Sequence, residues 1–191
     1  MNISAVIITL NEEEYIQKCL DNVKDHVDEV VVIDGGSIDR TQTICKDNGC
    51  RVITNIFDGH FGDQRNFGII NSKGRWILSI DADETFDEEF FIELPKLINQ
   101  EDVTDAYKFP RRNYIDNIYD EEHYPDFQTR LYRRYCRWIL PAHEELVGCK
   151  HLVESSYHII HTKQSERHHE RNFYYDKVIT EIYKDDFLKK E

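Results

Sequence analysis

The amino-acid sequence predicts an α/β fold with a mostly parallel sheet flanked by helices, and two observations carry this prediction. Through residue 85, strand, helix, strand, helix, strand, helix and strand follow one another, which is the order of right-handed βαβ units. The predicted strands are short and mostly continuous apolar runs, as is typical of parallel strands covered on both faces. No Gly-x-Gly-x-x-Gly and no Walker A sequence occurs, so this Rossmann-like sheet lacks the classical dinucleotide and P-loop signatures.

In the first half, the predicted helices are bounded by residues with strong capping preferences. The first begins at Asn11, which forms a capping box with Glu14, and its apolar positions recur at helical spacing as far as Val27. The second ends at Gly49, which suits the left-handed position after a helix. Two glycines at 35–36 allow a tight turn and the close approach of a ligand to the backbone. The predicted strands are 3–10, 29–33, 51–54 and 76–84, and the second and third helices are 39–48 and 63–70.

The second half is less regular and more aromatic. A helix is predicted over 87–99, and Pro95 is expected to kink or divide it. Residues 113–128 show no clear period and are interpreted as a long loop, a kind of segment that is often functional. The predicted strands of this half are 107–112, 130–135 and 152–160, followed by a polar helix over 165–188.

Charge, cysteines and hydropathy bound the function. The formal net charge of -13 argues against a general nucleic-acid or anionic-membrane binder, since both need a basic face. The five cysteines are odd in number and show no Cys-x-x-Cys or zinc spacing, which predicts free thiols in a reducing compartment. No signal peptide and no transmembrane segment is recognised, so a cytoplasmic protein is expected, with peripheral contact to a membrane left open.

Two carboxylates follow the most central predicted strand. Asp81 and Asp83 stand one residue apart directly after the apolar run that begins at Trp76. In open α/β sheets, ligands bind outside the carboxyl ends of the strands. Carboxylate oxygens suit Mg²⁺ or Mn²⁺, which proteins usually bind together with substrate phosphates. The sequence therefore predicts a site for a metal ion and a diphosphate here, against the plainer interpretation of a solvated acidic loop.

Five blocks in this order resemble the family 2 glycosyltransferases of GT-A fold. The resemblance covers roughly residues 3–165 and is closest to the small bacterial branch that includes lipopolysaccharide-core glucosyltransferases of the WaaE type. The blocks are Ile-Thr-Leu-Asn-Glu-Glu at 8–13, Val-Ile-Asp-Gly-Gly-Ser at 32–37 with Asp39 and Thr41, Gln-Arg-Asn-Phe-Gly at 64–68, 76–84, and Tyr-Pro-Asp-Phe-Gln-Thr-Arg-Leu-Tyr-Arg-Arg at 124–134, the last followed by His143 and Glu144.

The resemblance implies an inverting transfer of a sugar from a nucleotide-diphosphate sugar, with UDP as the favoured nucleotide, to a glycan, lipid-linked or protein acceptor. The length of 191 residues favours a single domain over 1–191, with a nucleotide-sugar-binding half (1–85), an acceptor half (86–163) and a C-terminal helix (164–191). Mn²⁺ or Mg²⁺ would be held by Asp83 and Asp81, with His143 completing the shell, and would stabilise the leaving diphosphate as a Lewis acid. The residues expected around the nucleotide are Thr9, Leu10, Asn11, Glu12, Asp34, Arg65, Asp81, Ala82 and Arg130.

Direct displacement also needs a base that takes the proton from the acceptor hydroxyl. Asp126 is the first candidate, because it precedes the Arg130 segment as the acidic motif of the family does, although many relatives have Glu-Asp where this chain has Pro-Asp. Glu144 and His143 are the other candidates. Arginine forks suit phosphate oxygens, and the candidates for such contacts are Arg130, Arg133 and Arg134.

Several of these residues also have structural interpretations. Asp34 could bind its own turn, and Arg65 on a helix is most often a solvated charge. Trp76 is expected in the core, and Trp138 either in the core or against a sugar. For His161, which is nearer the expected site, solvent exposure and a place in the site are both alternatives. At least two of four arginines are expected to form only weak surface ion pairs; the four are Arg111, Arg112, Arg133 and Arg134. Solvent exposure is expected for His158, His168 and His169.

Three other functions compete. Asp81 to Thr85 matches the Asp-x-Asp-x-Thr of haloacid-dehalogenase phosphatases, but three strand–helix units precede it here. A nucleotidyltransferase of similar sheet would need a Gly-rich, basic loop after the first strand, where this chain has Leu-Asn-Glu-Glu. A non-catalytic nucleotide-sugar-binding domain is the third possibility, and the acidic residues at 81, 83 and 126 argue against it.

Overall fold

The computed structural model describes residues 2–99, 103–141 and 144–165. The helices are α1 (Ile16–Val23), α2 (Thr41–Asp47), α3 (Phe61–Asn71) and α4 (Glu88–Asn99). The strands are β1 (Ile3–Thr9), β2 (Glu29–Asp34), β3 (Arg51–Thr54), β4 (Trp76–Asp81), β5 (Glu84–Phe86), β6 (Ala106–Ile115), β7 (Ile118–Tyr119), β8 (Asp126–Arg133), β9 (Arg137–Ile139), β10 (Glu145–Val147), β11 (Leu152–Glu154) and β12 (Ile159–Lys163).

One large mixed sheet has the strand order β3-β2-β1-β4-β8-β6-β12-β5, and β11 and β7 pair with β6 outside this path. β1 pairs parallel with β2 and β4, and β2 pairs parallel with β3, so the predicted parallel first half is confirmed. β8 then runs antiparallel to both β4 and β6, which makes the second half mixed, as predicted. The antiparallel direction matters for function, because it brings the start of β8 to the edge where β1 and β4 end.

A hydrophobic layer covers each face of the sheet, because neighbouring residues on a strand point to opposite sides. Ile7 and Leu78 lie in the layer beneath α1 and α4, together with Phe90. Val6 and Ile77 lie in the other layer, beneath α3. The predicted strands of the first half are continuous apolar runs because both faces are covered in this way. Trp76 is 2% exposed, so its predicted place in the core is confirmed.

The first predicted helix boundary is wrong. α1 begins at Ile16, not at Asn11, and Tyr15 precedes it without a side-chain cap. Asn11 adopts a positive φ of 55° and its Oδ1 accepts a hydrogen bond from the Ile38 backbone at 2.8 Å. The Asn11 side chain therefore ties the loop after β1 to the loop after β2 instead of capping a helix. α1 also ends at Val23, and a 3₁₀ turn over Lys24–His26 separates it from Val27.

Of the two effects predicted for Pro95, division of the helix is wrong, because α4 continues through it, and a kink stays a prediction. A proline removes one backbone hydrogen bond, while Phe90, Phe91 and Leu94 keep the apolar face of this helix buried.

The segment 113–128 is a loop only over residues 120–125, between β7 and β8. β6 runs through Ile115, turns at Asp116 and Asn117 with φ of 50° and 67°, and returns as β7 in an antiparallel hairpin. Positive φ at both turn residues is the geometry of the favoured two-residue hairpin turn, which Asp and Asn tolerate. The predicted last strand is two strands, β11 and β12, and the short strands β5, β9 and β10 were not predicted.

A disulfide joins Cys136 to Cys149, whose Cα atoms are 5.7 Å apart. The prediction that all five cysteines are free is therefore wrong for this pair, since the β9–β10 hairpin between them brings them together. Cys19, Cys45 and Cys50 are free thiols. The helix predicted over 165–188 lies, from residue 166 on, outside the described residues. Within residues 2–99, 103–141 and 144–165, no helix is long and apolar enough to cross a membrane.

Candidate active site

A cavity of about 530 Å³ lies at the edge of the sheet where β1 and β4 end. This is where α/β sheets bind ligands, and the volume is within the range of about 300–1,000 Å³ for small-molecule sites. The first strand and its loop contribute Thr9, Leu10 and Glu12, and β4 contributes Asp81 with the two residues after it. The other predicted site residues on its wall are Arg65, Arg130 and Glu144.

Asp81 is clamped between two arginines. Arg65 Nη2 lies 2.8 Å from Asp81 Oδ1, and Arg130 Nη2 lies 2.8 Å from Oδ2. Burial alone would raise the pKa of this carboxyl, but the charges of Arg130 and Arg65 outweigh it and hold the pKa below its ordinary value. Both of its oxygens therefore already face positive charge.

Arg65 is 3% exposed, so the interpretation as a solvated charge is wrong. α3 approaches β1 very closely at Gly68, where an added Cβ would lie 2.2 Å from a Val6 methyl group. This close packing places Arg65 over the end of the sheet, where its Nε donates to Glu144 at 3.0 Å. Its guanidinium also lies 5.4 Å from the centre of the Trp138 ring.

The predicted place of Trp138 in the core is confirmed, while stacking on a sugar stays a prediction. Trp138 lines the cavity, yet it is only 5% exposed and its indole nitrogen donates to the Tyr132 hydroxyl at 2.9 Å. The side chain is fixed from behind and presents part of its surface to the cavity beside Arg65.

Glu84 is the buried centre of the charge network. It is 0% exposed and accepts hydrogen bonds from Arg130 at 2.7 and 2.9 Å and from Arg111 at 3.0 Å. Burial raises the pKa of this carboxyl, but Arg130 and Arg111 overcome burial and lower the pKa to about 2. Arg111 contacts the buried Glu84 and also lies 2.6 Å from Asp126. The expectation of a weak surface ion pair is therefore wrong for Arg111.

A second chain of contacts links Asp83 to Asp126. His161 Nε2 lies 3.2 Å from Asp83 Oδ2, and His161 Nδ1 lies 2.7 Å from Asn113 Oδ1. Asn113 Nδ2 in turn donates to Asp126 Oδ2 at 3.2 Å. The strand order explains this convergence, because β6 carries Asn113 between β12, with His161, and β8, with Asp126.

Asp126 is partly exposed and strongly bonded. Besides Arg111 and Asn113, Gln128 donates to its Oδ1 at 2.7 Å. Partial burial raises its pKa, but the charge and hydrogen bonds of Arg111 outweigh burial and lower the pKa below the ordinary value. The carboxylate is therefore ionised at neutral pH. Glu144 lies on the cavity wall itself, with its Oε1 bonded to Arg65.

The residues predicted at the nucleotide divide into two groups. Asp34 is 0% exposed, and its carboxylate accepts bonds from the backbone of Gly36 and Ser37 and from Gln42 at 2.7 Å, so it holds its own turn. Thr9 and Glu12 are 7% and 3% exposed and face the cavity. The loop carrying Glu12 is held by a bond from its backbone nitrogen to Thr41 Oγ1 at 2.7 Å.

Gln64, which was not predicted as a site residue, also lines the cavity. Its Nε2 donates to the Asn55 carbonyl at 2.9 Å, which fixes the side-chain oxygen as an acceptor. That Oε1 and the Thr9 Oγ1 are buried without a hydrogen-bond partner. Buried polar atoms are normally bonded, so these two atoms point to a ligand that brings hydrogen-bonding groups.

The residues present fit a divalent cation only in part. Asp81 is committed to two arginines, whereas Asp83 and His161 offer a carboxylate and an imidazole side by side. In the described part of the chain, no group of three or more His, Cys, Asp or Glu side chains is arranged as a metal site. A cation would thus need further ligands from a substrate or water, as Mg²⁺ sites with phosphates do. His143, the other predicted ligand, lies outside the described residues.

Two predicted phosphate contacts are wrong. Because β8 is antiparallel to β4, Arg133 is paired with Trp76 at the beginning of β4 and stacks on its ring at 4.1 Å. Arg134 follows Arg133 at this edge of the sheet, which is opposite to the edge with the cavity, and its backbone nitrogen donates to the Arg75 carbonyl. His158, which was expected in solvent, lies 3.5 Å from Asp87. His168 and His169 lie outside the described residues.

Comparison with known proteins identifies the family. The model described as Glycosyl transferase family 2 matches residues 4–152. This chain belongs to glycosyl transferase family 2. The resemblance inferred from the five sequence blocks is thereby confirmed. Membership of a glycosyl transferase family replaces the phosphatase and nucleotidyltransferase hypotheses.

Two curated relatives illustrate the match. The lipopolysaccharide core biosynthesis glycosyltransferase LpsC of Rhizobium meliloti is 33% identical over 118 residues, which are 59% of this chain and 43% of that protein. An uncharacterized glycosyltransferase of Rickettsia prowazekii is 32% identical over 133 residues, which are 70% of this chain and 39% of that protein. The chain thus spans less than half the length of these relatives.

Solved structures show the GT-A fold. The structure of Staphylococcus aureus TarS 1-349 has a TM-score of 0.61 and 17% identity, covering 85% of this chain and 60% of that one. Glucosyl-3-phosphoglycerate synthase from Mycobacterium tuberculosis has a TM-score of 0.50 and 25% identity, covering 58% of this chain and 44% of that one. That structure is a complex with Mn²⁺, UDP-glucose and phosphoglyceric acid.

Proposed function

We propose that this family 2 chain transfers a sugar from a UDP-sugar to an acceptor hydroxyl, with inversion and with a divalent cation. The observation that carries the proposal is the cavity at the ends of β1 and β4, where Asp83 and His161 adjoin the clamped Asp81. The donor would lie across the first half of the chain, and the acceptor would approach from β6 and β8.

The electrostatics of the cavity support the need for a cation. Three arginines line it, and each already contacts two carboxylates; they are Arg65, Arg111 and Arg130. A diphosphate entering this site would meet guanidinium groups whose charge is balanced. A bound cation supplies the missing positive charge and offsets the charge that develops on the leaving diphosphate.

Asp83 and His161 are the residues that would hold this cation. Their side chains are 9% and 5% exposed, and both line the cavity. Asp81 would act beside them as the anion that keeps Arg65 and Arg130 at the diphosphate. Support for Mn²⁺ and UDP also comes from the mycobacterial synthase, whose structure contains both Mn²⁺ and UDP-glucose.

The nucleobase end of the site would be formed by Phe57, Phe61, Thr9 and Gln64. The two phenylalanine rings are 4.7 Å apart and line the cavity, and aromatic faces stack readily on bases. The fixed acceptor of Gln64 requires a donor, such as the ring N–H of uracil. Asp34 would then support this end through its turn.

Asp126 remains our proposed catalytic base, and Glu144 is the alternative candidate. A base must be ionised before it can take a proton, and the lowered pKa of Asp126 meets that condition. Glu144 lies on the cavity wall and shares Arg65 with Asp81. Acceptor candidates are a hydroxyl of a glycan, a lipid-linked sugar or a protein, handled in the cytoplasm or at a membrane surface.

A panel of nucleotide sugars tests the proposal. UDP-, GDP-, CDP- and dTDP-sugars are each added with Mg²⁺, Mn²⁺ or chelator, and the melting temperature and nucleoside diphosphate release are measured. A UDP-sugar with Mn²⁺ is expected to raise the melting temperature, since a ligand that binds only the folded state stabilises it. Equal stabilisation by all the nucleotides, or full turnover with chelator, would contradict the proposal.

A further inference from the structure

We infer that Asn113 is a positioning residue that sets the tautomer of His161 and ties the cation side of the site to the proposed base, Asp126. This inference rests on the function proposed above and deepens it. Asn113 lies on β6, opposite His161 of the neighbouring β12 and close to Asp126 of β8. Its amide group therefore bridges two strands that come from distant parts of the chain.

The amide can be oriented in only one way. Its nitrogen lies 3.2 Å from Asp126 Oδ2, which also accepts two bonds from Arg111 and is an acceptor only. The amide oxygen must then face His161 Nδ1, at 2.7 Å. Because that oxygen accepts but cannot donate, Nδ1 of His161 must carry the hydrogen.

This orientation has a consequence for the other ring nitrogen. In neutral His161 with a hydrogen on Nδ1, Nε2 bears a lone pair, and it lies 3.2 Å from the acceptor Asp83 Oδ2. Two acceptors at that distance repel each other unless a proton or a metal cation lies between or beside them. Asn113 thus prepares Nε2 as a ligand rather than a donor, the role that outer hydrogen bonds commonly have at metal-binding histidines.

Three variants separate the two bonds of Asn113. Asn113→Leu has a similar volume and makes neither bond, whereas Asn113→Asp keeps an acceptor for His161 but loses the donor to Asp126. Gln128→Leu is the matched control, because Gln128 donates to Asp126 at 2.7 Å from the other side. Mn²⁺ affinity in the presence of UDP is measured from the electron paramagnetic resonance signal of free Mn²⁺.

Loss of an outer hydrogen bond typically weakens metal binding about 10- to 100-fold. We expect a weakening of at least about tenfold for Asn113→Leu, and a change within about threefold for Asn113→Asp and Gln128→Leu. Circular dichroism and thermal melting check that each variant is folded. A folded Asn113→Leu protein with wild-type affinity overturns the inference, as does equal loss in Asn113→Asp.

The tautomer is measured separately, on metal-free protein. Imidazole nitrogen shifts of ¹⁵N-histidine-labelled protein report which ring nitrogen bears hydrogen, and the signal of His161 is identified by its absence in His161→Gln. We expect hydrogen on Nδ1 of neutral His161 in the wild type and in Asn113→Asp, and loss of that tautomer preference in Asn113→Leu. Identical signals in all three overturn the Asn113 inference alone, whereas a wild type that binds neither Mn²⁺ nor UDP overturns the proposed function.

Discussion

Glu84→Gln is expected to destabilise the protein by about 3 kcal/mol. Glu84 is fully buried between Arg111 and Arg130, and these arginines lower its pKa from the ordinary 4.5 to about 2. At about 1.4 kcal/mol for each pH unit, that difference is equivalent to about 3 kcal/mol of stabilisation of the ionised form. Removing one partner of a buried ion pair typically costs about 3–5 kcal/mol, which is the same order of magnitude.

Urea unfolding at pH 7 measures this change, and Glu154→Gln is the control. Glu154 pairs with Lys108 at 2.8 Å, but its side chain is 60% exposed, so its removal should cost no more than about 1 kcal/mol. The folded protein has the lower pKa for Glu84, so the stabilisation is complete above pH 4.5 and is lost as the pH falls toward 2. The difference between wild type and Glu84→Gln should therefore shrink across that interval. A cost equal to that of the control, or a difference that does not depend on pH, would refute this reasoning.

Three further changes test the proposed chemistry. Asp83→Ala should abolish metal-dependent nucleoside diphosphate release while the circular dichroism spectrum stays that of the wild type; full turnover in this variant would remove the cation role of Asp83. Asp126→Asn should lose transfer by about 100-fold or more with UDP binding retained, because base catalysis contributes about 10²–10⁴-fold; if Glu144→Gln shows that behaviour instead, Glu144 is the base. Gln64→Leu should weaken UDP binding by about tenfold, equivalent to about 1.4 kcal/mol for a lost hydrogen bond, as measured by calorimetric titration. The same variant should narrow the preference for UDP over CDP; an unchanged preference would mean that the nucleobase binds away from Gln64.

Local patterns were sufficient for the strands of the first half of the fold. β1 and β4 are apolar runs covered on both faces, so their positions follow from composition alone, and the strand Arg51–Thr54 has the predicted limits. The position of Asp81 and Asp83 at a strand end follows in the same way. These features depend on residues that are close in sequence.

The features that were predicted wrongly depend on contacts between distant residues, which no local pattern shows. Asn11 looks like a helix cap until the loop after β2 presents the Ile38 backbone to it. Arg133 and Arg134 look like phosphate contacts until the direction of β8 places them at the opposite edge. The turn at 116–117 was the one local signal for the hairpin, since Asp-Asn tolerates positive φ at both positions.

The charge network could not be predicted for the same reason. Glu84 stands directly after the Asp-Ala-Asp sequence, and that adjacency was the available signal. Its partners Arg111 and Arg130 are 27 and 46 residues away, and they meet it only because β8 and β6 follow β4 in the sheet. Burial of Arg65 likewise depends on contact between Gly68 and Val6.

The same network constrains how a substrate can bind. Arg65 contacts Asp81 and Glu144, and Arg130 contacts Asp81 and Glu84, so a diphosphate cannot recruit either arginine without sharing it with a carboxylate. Sharing is unfavourable when anions approach each other in a site of low dielectric constant. The proposed divalent cation at Asp83 would remove that penalty by drawing the diphosphate toward itself. Nucleotide affinity should therefore depend on the cation more steeply than in a cavity with unpaired arginines, and neutralising Asp81 should weaken that dependence rather than abolish nucleotide binding.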